Sequence, residues 1–153
     1  MNDRLLRKAR YCMTELDKVI LVVREWISKA ENDLKTAVHT LEMEDDCPTD
    51  TVCFHAQQCV EKYLKASLVL EGIDFPKTHD IRKVAALLPP RVRVPLSLEE
   101  QLQLTNYATV MRYPGDYFPI SMEEAKRAVR IARRVRTQIR KLLPKQALKR
   151  RRK

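Results

Sequence analysis

Glycine is nearly absent. Gly72 and Gly115 are the only two in 153 residues, where ordinary usage of roughly 7% would supply about eleven. A phosphate cradle of the P-loop or dinucleotide type needs several glycines at fixed spacing so that backbone N–H groups can approach phosphate. Neither can be built here, so any phosphate must be held by side chains. Long apolar runs are also missing: none exceeds the length of Val19 to Val23, far short of a membrane span. No early apolar stretch ends in small residues after Arg4, Arg7, Lys8 and Arg10, so no signal peptide is expected. The four cysteines, Cys12, Cys47, Cys53 and Cys59, lack the paired short spacing of a zinc site. His55 and Cys59 are four apart, but Cys53 would point elsewhere on a helix, and no metal or cofactor is expected. These features predict a cytoplasmic protein with reduced thiols and no membrane association.

Charge is abundant but uneven. The formal net charge is +10, from 30 basic and 20 acidic residues. Residues 126–153 hold 14 of the basic residues and no acid, leaving 16 basic against 20 acidic in residues 1–125, a net −4. The basic character therefore belongs to the C-terminal end alone and points to an anionic partner there.

Helix signals dominate and strand signals are almost absent. Thr14 and Asp17 form a capping-box pattern opening a helix from Glu15 to about Glu44, with Trp26, Ala30, Leu34, Ala37, Val38 and Leu41 on its apolar stripe. After an acidic loop, Thr49 or Asp50 caps a second helix to Glu71, and Gly72 stands where a left-handed residue is wanted. Thr78 or Asp80 starts a short third helix, Ile81 to Leu88, ended by Pro89-Pro90. Ser97 with Glu100 opens a fourth, to about Val110, and Ser121 with Glu124 a fifth, Met122 to Leu143. The apolar face of the fifth is Ala125, Ala128, Val129, Ala132, Val135, Ile139 and Leu142. The expected fold is all-α, an antiparallel up-and-down bundle of about five helices. Its organisation is a basic extension over 1–13, a bundle over 14–144 and a basic tail over 145–153, whose deletion should leave the fold intact.

Three polar strings interrupt this pattern. On helix two, His55, Gln58, Glu61, Lys62 and Lys65 line one face, beside a buried stripe of Ala56, Cys59, Val60, Tyr63, Leu64, Ser67 and Leu68. That face is either solvated, with a Glu61–Lys65 pair worth a few tenths of a kcal/mol, or part of a site. The second string is Lys77-Thr78-His79-Asp80, and the third is Arg112-Tyr113-Pro114-Gly115-Asp116-Tyr117, with Pro-Gly making a turn at a helix end. Arg112 serves either to satisfy C-terminal carbonyls or to grip phosphate with its planar fork.

Four ordered blocks, Trp26/Ala30/Asp33/Leu34, then F-H-A-Q-Q with E-K-x-L-K-A, then K-T-H-D and R-Y-P, resemble the HEPN family of prokaryotic helical domains over Arg24 to Leu143. The resemblance implies an up-and-down bundle with a short extra helix, commonly dimeric. It also implies a toxin–antitoxin-like pairing with a minimal nucleotidyltransferase, and either nucleotide binding or metal-independent RNA cleavage. It brings Gln58, Glu61, Lys62, Lys65, His79, Arg112 and Tyr113 to one cleft for a nucleotide or RNA. There Lys65 and Arg112 would face phosphate, and Glu61 would orient a basic group. His55 or His79 would move protons, making His79 and Arg112 the catalytic candidates. The cleaving branches carry R-x(4–6)-H, which this chain lacks; Tyr117 stands five residues after Arg112, and a tyrosine of pKa near 10 is a poor base at pH 7. The competing readings are a polar network locking helices two, three and four or a dimer contact, and a non-catalytic adaptor. A separate nucleic-acid surface, Arg127, Arg130, Arg134, Lys149, Arg150, Arg151 and Arg152, could follow a phosphate backbone. No aromatic residue for stacking follows Phe118, so the alternative is a face that pairs with acids of helix one or of a partner.

Overall fold

A computed structural model describes residues 13–110 and 119–149. They form six helices: α1 (Glu15–Leu41), α2 (Thr49–Leu70), α3 (Ile81–Ala86), α4 (Leu98–Val110), α5 (Met122–Leu142) and α6 (Lys145–Leu148), with a 3-10 turn at Glu44–Asp46. Among the described residues there is no strand. No helix there is long and apolar enough to cross a membrane.

Local chemistry sets most of the boundaries. Thr14 and Asp17 close a full capping box. The Thr14 hydroxyl accepts from the Asp17 N–H at 3.1 Å, and the Asp17 carboxylate accepts from the Thr14 N–H at 3.0 Å. Helix α1 stops at Leu41, short of the end its sequence pattern suggests, because the chain tightens into the acidic 3-10 turn. Helix α2 ends in a Schellman motif: Gly72 takes a φ of +67°, its N–H donates to the Val69 carbonyl, and the Ile73 N–H reaches back to Leu68 at 2.9 Å. Neither expected cap serves the start of α2. Pro48 occupies that position without a side-chain bond, and the Thr49 hydroxyl donates instead to the Ile120 carbonyl at 2.7 Å, pinning α2 to the approach of α5. Asp80 caps α3, which ends at Ala86 rather than Leu88. The Ser97–Glu100 box forms in both directions. At α5 only Ser121 plays its part, since the Glu124 carboxylate accepts from Gln103 and the Tyr107 hydroxyl of α4.

The order of cross-helix contacts gives the topology. Asp33 meets His55 and Glu31 meets Tyr63, so α1 and α2 run antiparallel. Tyr107 meets Glu124 while Glu100 meets Arg134, so α4 and α5 do too. Helix α2 contacts α1, α3, α4 and α5, and 13 of its 22 residues are buried, which makes it the axis of an up-and-down bundle. Its expected apolar stripe is fully inside. So is the stripe of α5, with one exchange: Leu142 is exposed and Leu143 is buried instead, because the helix ends between them. The tail expected from residue 145 begins with α6, which packs on α1 and buries Ala147. Deleting 145–153 would therefore strip part of the core, contrary to the expectation from sequence.

Candidate functional site

The polar face of α2 is not a solvated one. Glu61 and Lys65 form an ion pair at 2.6 Å with side chains 3% and 8% exposed, so the simple surface-pair reading fails. Burial alone would raise the Glu61 carboxyl, yet hydrogen bonds from Lys65, Gln57 and His79 outweigh it and hold the group below the usual carboxylate range. The Gln57 amide donates to Glu61 Oε2 at 2.8 Å and to the His79 carbonyl. His79 places Nδ1 3.0 Å from Glu61 Oε2 while half its side chain stays exposed. Gln58 donates to the side-chain oxygen of Gln57 at 2.7 Å, extending the chain of bonds to the surface.

The Lys65 side chain is turned into the fold. Its ammonium donates to Glu61 and to the Thr78 carbonyl at 2.9 Å. It also lies 5.7 Å from the Trp26 ring and 5.6 Å from the Phe75 ring. Two aromatic faces, a carboxylate and a carbonyl surround the charge within the fold. Lys65 becomes the strut that fixes Glu61, and through Glu61 the ring of His79.

A second carboxylate–histidine pair lies beside the first. His55 Nδ1 is 2.8 Å from Asp33 Oδ1, and Lys62 pairs with the other Asp33 oxygen. Asp33 comes from α1, and its side chain is 13% exposed. His55 and Glu61 are six residues apart, about 9 Å along the helix axis and about 120° apart around it, with Gln58 between them. When Nδ1–H is donated to a carboxylate, Nε2 remains as the free proton acceptor. Of the seven expected cleft residues, Glu61, Lys65, His79 and Gln58 thus share one network through Gln57, and Lys62 joins the neighbouring pair. Arg112 and Tyr113 lie outside the described residues.

Gln57, Asp33 and the Trp26–Phe75 clamp were not singled out as site residues from the sequence. Only the doubled glutamine in F-H-A-Q-Q hinted at the first, and a buried amide cannot be told from a solvated one by spacing. Cys53 and Cys59 are inert by position, with burial pushing the Cys53 thiol up to about 12 and Cys59 likewise upward. Among the described residues no cluster of three His, Cys, Asp or Glu side chains could hold a metal ion.

The basic face of α5 is partly spent on internal pairs. Arg130 pairs with Glu123 at 2.9 Å, and Arg134 with Glu100 at 2.6 Å and the Pro95 carbonyl. Arg136 grips Glu31 with two bonds, 2.6 and 3.0 Å, and Arg140 donates to the Tyr63 hydroxyl. Arg127 and Lys149 are exposed, and Arg150, Arg151 and Arg152 lie outside the described residues.

Comparison with known proteins agrees with this architecture. The chain matches the HEPN domain family over residues 23–142 and belongs to that family. A candidate toxin of Methanocaldococcus jannaschii, MJ1304, is 35% identical over 101 residues, covering 61% of this chain and 64% of that protein. The chain thus spans somewhat under two thirds of that curated relative's length. Among solved structures, TT1696 from Thermus thermophilus superposes with a TM-score of 0.68 at 27% identity, covering 79% of this chain and 98% of that one. ST0689, described as an archaeal HEPN homologue, gives 0.59 at 26% identity, covering 78% and 96%.

Proposed function

We propose that the chain is a toxin-like HEPN protein that binds a nucleotide or RNA on the face of α2 between His55 and His79. In this reading it acts as a homodimer in a pair with a nucleotidyltransferase. The observation that carries the reading is the pair of part-exposed imidazoles, each held at Nδ1 by a carboxylate of low exposure. Fixed rings with a free Nε2 are hydrogen-bonding groups already ordered before binding, suited to phosphate or ribose oxygens. The similarity to a candidate toxin and the family match support a role in such a pair. Titration with ATP, GTP and short RNAs tests the site: His55→Ala with His79→Ala should weaken binding at least tenfold at a temperature where circular dichroism shows the variant still folded. Unchanged affinity in that double variant would sink the assignment.

The same two histidines favour a second reading, RNA cleavage with one imidazole taking the 2′-OH proton and the other protonating the 5′-leaving oxygen. Attack of O2′ on phosphorus with loss of O5′ leaves a 2′,3′-cyclic phosphate and a 5′-hydroxyl. Labelled RNA should then yield those ends in a bell-shaped pH profile that the single histidine variants lose; intact RNA leaves binding as the function.

The basic C-terminus is an accessory in this reading. A chain ending at Leu148 keeps α6 and should hold its stability within about 0.5 kcal/mol. Its RNA affinity should fall, and the slope of log K against log salt should shrink by up to about 3.5 for single strands, from the loss of five cations. An unchanged slope would remove the tail from the RNA-binding surface.

A further inference from the structure

On the opposite flank of α1 from Asp33, the second half of α1 and the middle of α5 leave a groove of about 390 Å³. It is lined by Glu31, Leu34, Lys35, Val38, His39, Arg133, Arg136 and Thr137. Leu34 and Val38 form an apolar floor. Lys35 and Arg133 stand exposed on its two walls.

The groove holds more hydrogen-bond donors than acceptors. An ammonium carries three N–H donors and a guanidinium five. Lys35, Arg133 and the Thr137 hydroxyl have no hydrogen-bond or ion-pair partner among the described residues, while Arg136 spends its Nε and one Nη2 hydrogen on Glu31. The one wall carboxylate, Glu31, already has three of its roughly four acceptor sites filled. Its Oε1 takes the Tyr63 hydroxyl and Arg136, and its Oε2 takes Arg136 again. Burial would raise this carboxyl, but Arg136 and Tyr63 hold it down and so keep it charged. Leaving His39 aside, the groove carries three cations against one anion.

We propose that this α1–α5 groove is a phosphate site, separate from the α2 face, for a phosphate ester of about one nucleotide in size. The volume lies at the lower end of the range for small-molecule sites. A single carboxylate would leave most of the spare donors unmet, whereas phosphate offers three or four acceptor oxygens and matches a guanidinium fork. The lining holds no Phe, Tyr or Trp, so recognition rests mainly on the phosphate, and the sugar lies over Leu34 and Val38. Lys35 and Arg133 hold the phosphate, Thr137 donates to it, and Arg136 bonds it while staying anchored to Glu31.

Nuclear magnetic resonance titration of the full chain with inorganic phosphate, AMP and a five-nucleotide RNA tests this, with hexaglutamate as the acidic-peptide arm. AMP should shift the amides of residues 31–39 and 133–137. The double variant Lys35→Ala with Arg133→Ala should weaken AMP at least tenfold without changing the melting temperature, both side chains being exposed. The histidine double variant should leave these shifts in place, which separates this site from the α2 face. Free nucleotide and RNA strand are two sources of the same chemistry: displacement of AMP by the RNA assigns a strand, and failure to displace it assigns free nucleotide. Shifts confined to other residues, unchanged AMP affinity in the double variant, or tighter binding of hexaglutamate than of AMP would each overturn the proposal.

Discussion

Replacing Glu61 with alanine is expected to destabilise the protein by about 3–5 kcal/mol, the range for removing one partner of a buried ion pair. Lys65 would keep its charge with only the Thr78 carbonyl and two aromatic faces around it. Gln57 would lose one of its two acceptors. Lys65→Met should cost less, about 1.5–3 kcal/mol, the scale of one lost hydrogen bond to a charged group. Glu61 would retain Gln57 and His79 as donors, and a thioether packs well between aromatic rings. Urea denaturation of both variants measures the asymmetry, and equal losses would show that the carboxylate is not the centre of the network.

The pH dependence carries the same signature. Because the native Glu61 carboxyl lies below its ordinary value, its contribution is fully present above the unfolded-state range near pH 4.3. It is lost as pH falls through the depressed native value. Acidification below about pH 5 should therefore destabilise the native protein more steeply than Glu61→Gln, which has no proton to take up at that position. Parallel stability profiles for the two would contradict the assignment.

Glu31→Ala is expected to cost about 2–3 kcal/mol, the second large effect, because it strands two donors at once. The Tyr63 side chain is fully buried, and its hydroxyl donates to Glu31 while accepting from Arg140. Without Glu31 the buried hydroxyl hydrogen has no acceptor, a penalty of about 1–3 kcal/mol. Arg136 loses both arms of its fork in addition. Tyr63→Phe alone should cost about 1 kcal/mol, since Glu31 keeps Arg136. The double variant should be less destabilised than the sum of the two, because the second change removes a group that the first had already stranded. Strict additivity in urea melts would show that the two residues are not coupled. Arg136→Lys should not rescue the site, because one ammonium cannot reproduce the two-point grip.

These effects share a feature that no pattern of hydrophobicity announces. Tyr63, Leu64 and Leu68 are legible as core because they recur at helical spacing. Glu61 and Lys65 recur at the same spacing, and their types place them by default on a solvated face. They are buried because α2 is the bundle axis, with neighbours on nearly every side. The Thr78 carbonyl, Trp26, Phe75 and His79, drawn from α1 and from the loop before α3, happen to offer what their charges need. Likewise Arg134 and Arg136 stand two residues apart on one basic helix, yet they belong to opposite flanks, one held by α4 and the other by α1.

The poverty of glycine, the periodic apolar stripes and the capping pairs at Thr14, Ser97 and Ser121 are properties of neighbours within a turn or two. From them the sequence alone determined an all-helical bundle, most of its helix starts and the stop at Gly72, and excluded a glycine-rich phosphate cradle. Which polar residues are buried, which histidines acquire a carboxylate, and where an unmet cluster of cations remains depend on residues 18 to 105 positions apart. Those distances are closed only by packing. The charge of a side chain is written in the sequence, but whether that charge is spent on a neighbour or left for a ligand was decided by the tertiary structure.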